Sequence, residues 1–177
     1  MKDIKEILNN KIMVFDGAMG TMLQSYNLTE SDFRADRFTN HTIDLKGNND
    51  LLCLTRPDIV GKIHKEYFES GADIVETNTF NANSISQKDY HLEKFCYEIN
   101  IQAAEIAKSV AEKYTDKPRF VAGAIGPTNQ TASMSPHVNN PEFRNVSFDQ
   151  LKEAYYEQAK GLIDGGVDLF LIETVFD

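Results

Sequence analysis

Residues 71–80 read GADIVETNTF, and residues 165–174 read GGVDLFLIET. In each stretch a glycine follows a helical pattern, an aspartate comes soon after, and a short apolar run ends in Glu-Thr, at Glu76 and Glu173. Compact apolar runs are typical of strands buried on both faces, and glycine is common just past a helix end. Two units of this build in one chain indicate strands that alternate with helices.

The same alternation extends outwards from these two stretches. Between the apolar runs, helical patterns follow Pro57, fill residues 92–110, and begin at the capping box formed by Ser147 and Gln150. Connections of helix size imply parallel strands joined by right-handed crossovers. We therefore predict an α/β fold of four βα units, which suits a doubly wound sheet or half of a (β/α)8 barrel. The four predicted strands are residues 12–15, 74–75, 120–124 and 169–172.

Composition excludes several classes of function. The 177 residues carry a net charge of −9 and no basic patch, so nucleic acid is not an expected partner. No apolar run approaches the ~20 residues that span a bilayer, and the first ten residues lack the apolar core of an export signal. Cys53 and Cys96 stand apart in apolar surroundings, as buried thiols do in a reducing compartment. We expect a cytoplasmic protein that contacts no membrane.

A polar cluster follows the first predicted strand. Asp16 stands at the strand end, with Gly17 and Ala18 directly behind it. The carboxylate could hold a cation while nearby backbone N–H groups bind an anion, and an amino acid presents both charges. Alternatively, Asp16 caps a short helix over residues 19–25. The glycines do not form G-x-G-x-x-G, so a dinucleotide site is not indicated.

Two further carboxylates end predicted strands. Glu76 and Glu173 follow apolar runs directly, where a charged residue is seldom placed for packing alone, although a structural ion pair is the alternative. Thr77 and Asn78 then add neutral hydrogen-bonding groups, which fix the orientation of a ligand. Long polar segments at 24–55 and 126–148 also follow strand ends, where barrels build their active sites. The four histidines stand in no metal-binding or nucleophile-activating pattern, so these residues predict binding without chemistry of their own.

Five motifs in one order carry a resemblance to a known family. They are DGAMGT at 16–21, KGNND at 46–50, ETNTF at 76–80, GPTN at 126–129 and IET at 172–174. Over residues 12–177 the chain resembles the N-terminal, homocysteine-binding domain of cobalamin-dependent methionine synthases. The resemblance implies a (β/α)8 barrel that binds homocysteine at its C-terminal strand ends. It implies that Asp16 and Glu173 hold the substrate ammonium, with the backbone of Gly17 and Ala18 close by.

The resemblance also implies cofactors and partner modules. In the family, zinc held by three cysteine thiolates binds the substrate sulfur, which takes its methyl group from methylcobalamin. Methyltetrahydrofolate recharges the cobalamin, and separate modules of the same protein carry these two cofactors. The zinc cysteines lie on later strands, so they are expected beyond Asp177.

Residues 1–177 are therefore expected to be the N-terminal half of the domain, ending after strand four. Alone, this half is expected to be inactive and to bind neither zinc nor cobalamin. Two alternatives stay open. One is a non-catalytic half-barrel that assembles through its open strand edges, as in a homodimer. The other is a homocysteine methyltransferase that does not use cobalamin.

Overall fold

The computed structural model of the chain describes residues 4–177. Three parallel strands form its sheet. They are β1 (Ile74–Glu76), β2 (Phe120–Ile125) and β3 (Leu169–Ile172), in the order β1-β2-β3. The sheet is open, with β2 at its centre and buried along its whole length. The predicted α/β class with parallel strands is confirmed.

The predicted first strand is only partly formed, so the prediction of four strands is wrong by one. Residues 12–15 run beside β1, but a single parallel bridge between Phe15 and Ile74 is their only ladder pairing among the described residues. Ile12 is 89% exposed and Val14 is 55% exposed, so one face of the segment has little packing, whereas Met13 packs against the buried cluster that contains Ile74. The segment still lies next to β1, as expected, and brings Asp16 to the end of β1.

Eight helices connect and cover these strands in the described part of the chain. Three are long, and they lie where helical patterns were predicted. The short 3-10 turns are Asn49–Leu51, Lys88–Tyr90 and Glu93–Phe95. The helices are α1 (Ile4–Leu8), α2 (Met19–Gln24), α3 (Glu30–Arg34), α4 (Leu52–Thr55), α5 (Pro57–Glu69), α6 (Ser84–Gln87), α7 (Cys96–Ala111) and α8 (Phe148–Asp164).

Local chemistry explains where the long helices begin. Pro57 occupies the first turn of α5, where its missing N–H is no loss. The predicted capping box at α8 is present, because the Ser147 hydroxyl accepts from Gln150 N and the Gln150 side chain accepts from Ser147 N. The helix predicted from residue 92 begins instead at Cys96, after a 3-10 turn.

Close contact between α7 and α8 depends on two glycines one helical turn apart. A Cβ added at Gly161 would lie 2.8 Å from Asn100 Cβ, and one at Gly165 would lie 2.6 Å from Ala104 Cβ. Real side chains do not approach so closely, so larger residues at either position would push the helices apart. The two glycines therefore fix how α8 sits over the sheet.

An aspartate at the start of β1 and another at the start of β3 each bind the neighbouring segment. Asp73 Oδ2 accepts from Val14 N at 3.0 Å, and Asp168 Oδ2 accepts from Val121 N at 2.8 Å. Lysines complete both sites, including Lys117, whose Nζ lies 2.6 Å from Asp73 Oδ1. These contacts explain why a glycine and an aspartate recur before the strands. No helix among residues 4–177 has the length and apolar character needed to cross a bilayer.

Candidate functional site

A cavity of about 290 Å³ opens at the carboxyl end of the sheet, and three of the predicted site residues, Thr77, Asn78 and Glu173, line it. Its volume equals about ten water molecules at ~30 Å³ each, which is enough for an amino acid. Polar side chains dominate its walls, and in the described part of the chain no Lys, Arg or His contributes to them. The cavity is lined by Met19, Gly20, Gly47, Asn49, Asp50, Glu76, Thr77, Asn78, Thr79, Phe80, Asn81 and Glu173.

Asp16 does not line this cavity, but it is hydrogen-bonded to Glu76, which does. Its backbone N–H donates to Ile74 O at 3.0 Å, and its Oδ2 accepts from Glu76 N at 3.0 Å. The alternative that Asp16 caps α2 is wrong, because Ala18 holds the N-cap position and no side chain caps that helix. The structure therefore ties the Asp16 carboxylate to the end of β1.

Three carboxylates share this mouth: Asp16, Glu76 and Glu173. Burial raises the pKa of Asp16 to about 7, and the charge of Glu173 adds to the rise. Burial likewise raises the pKa of Glu76 to about 7, with further contributions from Asp16 and Glu173. Burial also raises the pKa of Glu173. Acidic groups close together and short of water bind a cation well, because it relieves their mutual repulsion.

Thr77 and Asn78 line the cavity as predicted, but much of their hydrogen bonding is internal. Thr77 Oγ1 accepts from Ala124 N at 3.0 Å and shares a hydrogen with Thr79 Oγ1 at 2.7 Å. Asn78 Nδ2 donates to Asn49 O at 2.7 Å. These bonds hold the chain after β1 in place, so both residues shape the cavity, and their contact with a ligand stays a prediction.

Gly17 and Ala18 lie exposed at the rim of the site, just before α2. The Tyr67 hydroxyl donates to Ala18 O at 3.3 Å. A Cβ added at Gly17 would lie 3.2 Å from Tyr67 Oη, a tight contact that the tyrosine would relieve by moving a few tenths of an ångström. The rim backbone is thus fixed from α5 and left accessible to a ligand.

Asp50 is a cavity residue that the sequence reasoning did not single out. It is buried, its Oδ1 accepts from Asn81 N at 3.1 Å, and burial raises its pKa to about 6. Asp50 is the last residue of the KGNND motif, which was used only as one of the five motifs that carry the family resemblance. Without the fold, nothing indicated that this loop turns back to meet the end of β1.

The cysteines do not form a metal centre. Residues 4–177 contain no group of three or more His, Cys, Asp or Glu side chains that could hold a metal ion. Cys53 and Cys96 are buried free thiols, and burial raises the pKa of both. Cys53 Sγ lies behind the cavity wall, 3.5 Å from Asn78 O. A zinc ion held by three thiolates does not fit these residues.

Residues 13–177 match the protein family described as homocysteine S-methyltransferase. The chain belongs to this family. The match covers nearly the whole sequence, so the cavity lies within the homocysteine S-methyltransferase unit. The resemblance found in the sequence motifs is confirmed at the level of the family.

Solved structures of the homocysteine methyltransferase MmuM from Escherichia coli are similar in fold. The metallated form gives a TM-score of 0.72 at 19% identity, covering 97% of this chain and 57% of that one. The oxidized form gives 0.70 at 18% identity, covering 94% and 55%. The chain thus spans little more than half the length of MmuM. Its open three-stranded sheet corresponds to part of that fold, which confirms the prediction of a partial barrel.

Proposed function

We propose that this chain is the N-terminal half of the homocysteine-binding domain of a cobalamin-dependent methionine synthase. The complete enzyme would transfer a methyl group from methylcobalamin to the homocysteine sulfur, giving methionine. The single observation that supports this best is the carboxylate-lined cavity at the strand ends of a homocysteine S-methyltransferase chain. The motif KGNND lines that cavity in part, and GPTN is joined to it by the bond from Asn81 Nδ2 to Pro127 O; both motifs favour the cobalamin-dependent branch by their resemblance.

In this proposal the two ends of homocysteine are recognised separately. Asp16 and Glu173 hold the ammonium group, because both are acidic and lie at the mouth of the cavity. No basic residue in the described part of the chain lines the cavity to neutralise them. The exposed backbone at Gly17 and Ala18 lies beside the substrate. Thr77 shapes the wall, together with Asn78, and both can orient the bound amino acid.

We assign this chain substrate binding and no chemical step. The family's zinc would make the homocysteine thiolate available at neutral pH, but the cysteines here do not fit it. We propose that the zinc ligands lie in another part of a larger protein. The cobalamin module and the folate module would belong to that protein too, and the folate module would supply the methyl group from 5-methyltetrahydrofolate. Two buried free thiols support a reducing, cytoplasmic setting.

A homocysteine methyltransferase that does not use cobalamin is the second candidate. The family description, homocysteine S-methyltransferase, names the methyl acceptor and no methyl donor, so it fits this candidate as well. The methyl donor separates the two candidates. Methionine formed by a complete protein that carries this chain, from homocysteine and S-methylmethionine or betaine and detected by mass spectrometry, would favour the second. Methionine formed only with methylcobalamin and the partner modules would favour the first.

The binding proposal is tested by calorimetric titration of the chain with L-homocysteine. Asp16→Asn keeps the shape of the side chain but removes its charge, so we expect affinity to fall about 10- to 100-fold, the loss of a charged hydrogen bond. Asp36→Asn is the matched control, because Asp36 is exposed and does not line the cavity. Thermal unfolding should change little in either variant. Equal homocysteine affinity in Asp16→Asn and the unmodified chain would remove the proposed role.

A further inference from the structure

Glu76 is the cavity carboxylate that the homocysteine proposal leaves without a role. It ends β1, and its side chain is half-buried in the same cavity as Glu173. Asp16 is bound to it directly, through the bond from Glu76 N to Asp16 Oδ2. A carboxylate close to two other carboxylates destabilises the folded protein by charge repulsion. A bound cationic ligand would offset that repulsion.

All the ionisable groups around Glu76 are acids. Asp16 precedes α2, Glu173 follows β3, and Asp50 lies in the 3-10 turn Asn49–Leu51. From α5, burial raises the pKa of the Tyr67 hydroxyl, and the nearby charges of Asp16 and Glu76 add to the rise. Among residues 4–177 no Lys, Arg or His lines the cavity to offset them. The compensating positive charge must therefore come from a ligand or from a proton.

We propose, on the basis of the homocysteine-binding function above, that Glu76 is a third carboxylate ligand of the substrate ammonium. We also propose that the three-carboxylate cluster holds a proton in the free protein and releases it to solvent when the amino group binds. An ammonium group has three N–H donors, so Asp16, Glu76 and Glu173 can each accept one. Charge balances, because the substrate brings one positive charge as one proton leaves.

Electrostatics supports this exchange. Like charges in a half-buried site resist ionising together at neutral pH, and burial with neighbouring charge raises the pKa of both Asp16 and Glu76 to about 7. The free cluster is then partly protonated at neutral pH. A bound ammonium favours the ionised carboxylates and lowers their pKa values. Proton and amino acid therefore compete, and affinity should fall as the pH drops through about 7.

The test is calorimetric titration with L-methionine, the reaction product, which has no thiol proton to confuse the count. Titrations at about pH 6.5 in two buffers of different ionisation enthalpy give the number of protons released. We expect roughly one proton per methionine from the unmodified chain. Glu76→Gln should release clearly less and bind about ten-fold more weakly at about pH 8, where the cluster is ionised. The desamino analogue of methionine should release none.

Glu112→Gln is the matched control, since it removes the same charge from an exposed position on the far end of α7. Unchanged affinity and proton release in Glu76→Gln would overturn this inference and leave the homocysteine proposal standing. A chain that binds neither methionine nor homocysteine would refute both. Infrared titration of the ligand-free chain adds an independent check. Its carboxyl band should titrate near pH 7 and shrink in Glu76→Gln, and a band that does not titrate there refutes the stored proton.

Discussion

Acidification should destabilise the protein through His64. This residue lies on α5, one turn from Val60 and one turn from Phe68, which belong to two separate apolar clusters. Its side chain is fully buried, and neither ring nitrogen has a hydrogen-bond partner among residues 4–177. Burial lowers the pKa of His64 from 6.5 to about 4, because a charged imidazolium has nothing there to replace water.

The sign and the size follow from that shift. Since the folded pKa is lower than the unfolded one, the unfolded chain binds more protons at pH values between them, and stability falls as the pH falls through this window. A pKa lowered from 6.5 to about 4 corresponds to about 3 kcal/mol of stability when the effect is complete. Most of this stability should be lost between about pH 7.5 and about pH 4.5. This is a large part of the 5–15 kcal/mol typical of a folded protein.

Urea unfolding at both pH values measures the effect. Other groups titrate in the same range, so the quantity that matters is the difference between the unmodified chain and His64→Leu. The variant should be as stable or more stable at neutral pH, because it replaces an unpartnered polar ring with an apolar group of similar size. It should then lose less stability on acidification. The exposed His137 provides the control, as His137→Gln. Equal acid sensitivity in His64→Leu and the unmodified chain would show that the reasoning is wrong.

Two other predictions concern packing and assembly. Gly126→Ala should destabilise the fold by roughly 3 kcal/mol in thermal or urea unfolding, because the new Cβ would overlap the Phe80 carbonyl oxygen. Gly61→Ala, whose Cβ meets Ile106 at an ordinary 3.5 Å inside α5, should be neutral or stabilising, and a similar loss in both variants would contradict the argument. The chain should also self-associate as a homodimer or a larger species through the open edge at β3, where Phe170 is 40% exposed and Ile172 is 71% exposed. Light scattering that finds only a 20.0 kDa monomer at micromolar concentration would contradict this.

The spacing of apolar residues and the residues that begin or end helices predicted most of the fold. The helix after Pro57 and the capping box at Ser147 were readable because each depends on a few neighbouring residues. The first strand was not, since residues 12–15 have strand-like composition but find only one bridge. Whether an apolar run becomes a regular strand depends on packing from both faces, and Ile12 is left in solvent.

The site was predictable where it lies at strand ends. Asp16 and Glu173 are brought to one mouth because parallel strands carry their carboxyl ends to the same edge of the sheet. Asp50 could not be placed, because a loop residue reaches the site through the path of its backbone, which has no sequence period. The internal bonds of Thr77 were also beyond the sequence, since its partner Ala124 lies on a different strand.

The two aspartates at the strand starts also bear on how the chain folds during synthesis. Asp73 binds Val14, and Asp168 binds Val121, so each contacts a segment that precedes it in the chain. Each unit can therefore begin to align against one that has already left the ribosome, and Lys117, which follows Asp73 in the chain, completes the Asp73 site later. Slippage by one residue would separate the carboxylate from its N–H partner and turn the side chains of the strand to the wrong face. One aspartate in each unit thus favours the correct alignment with the preceding segment. Its recurrence favours folding of the units one after another as they are synthesised.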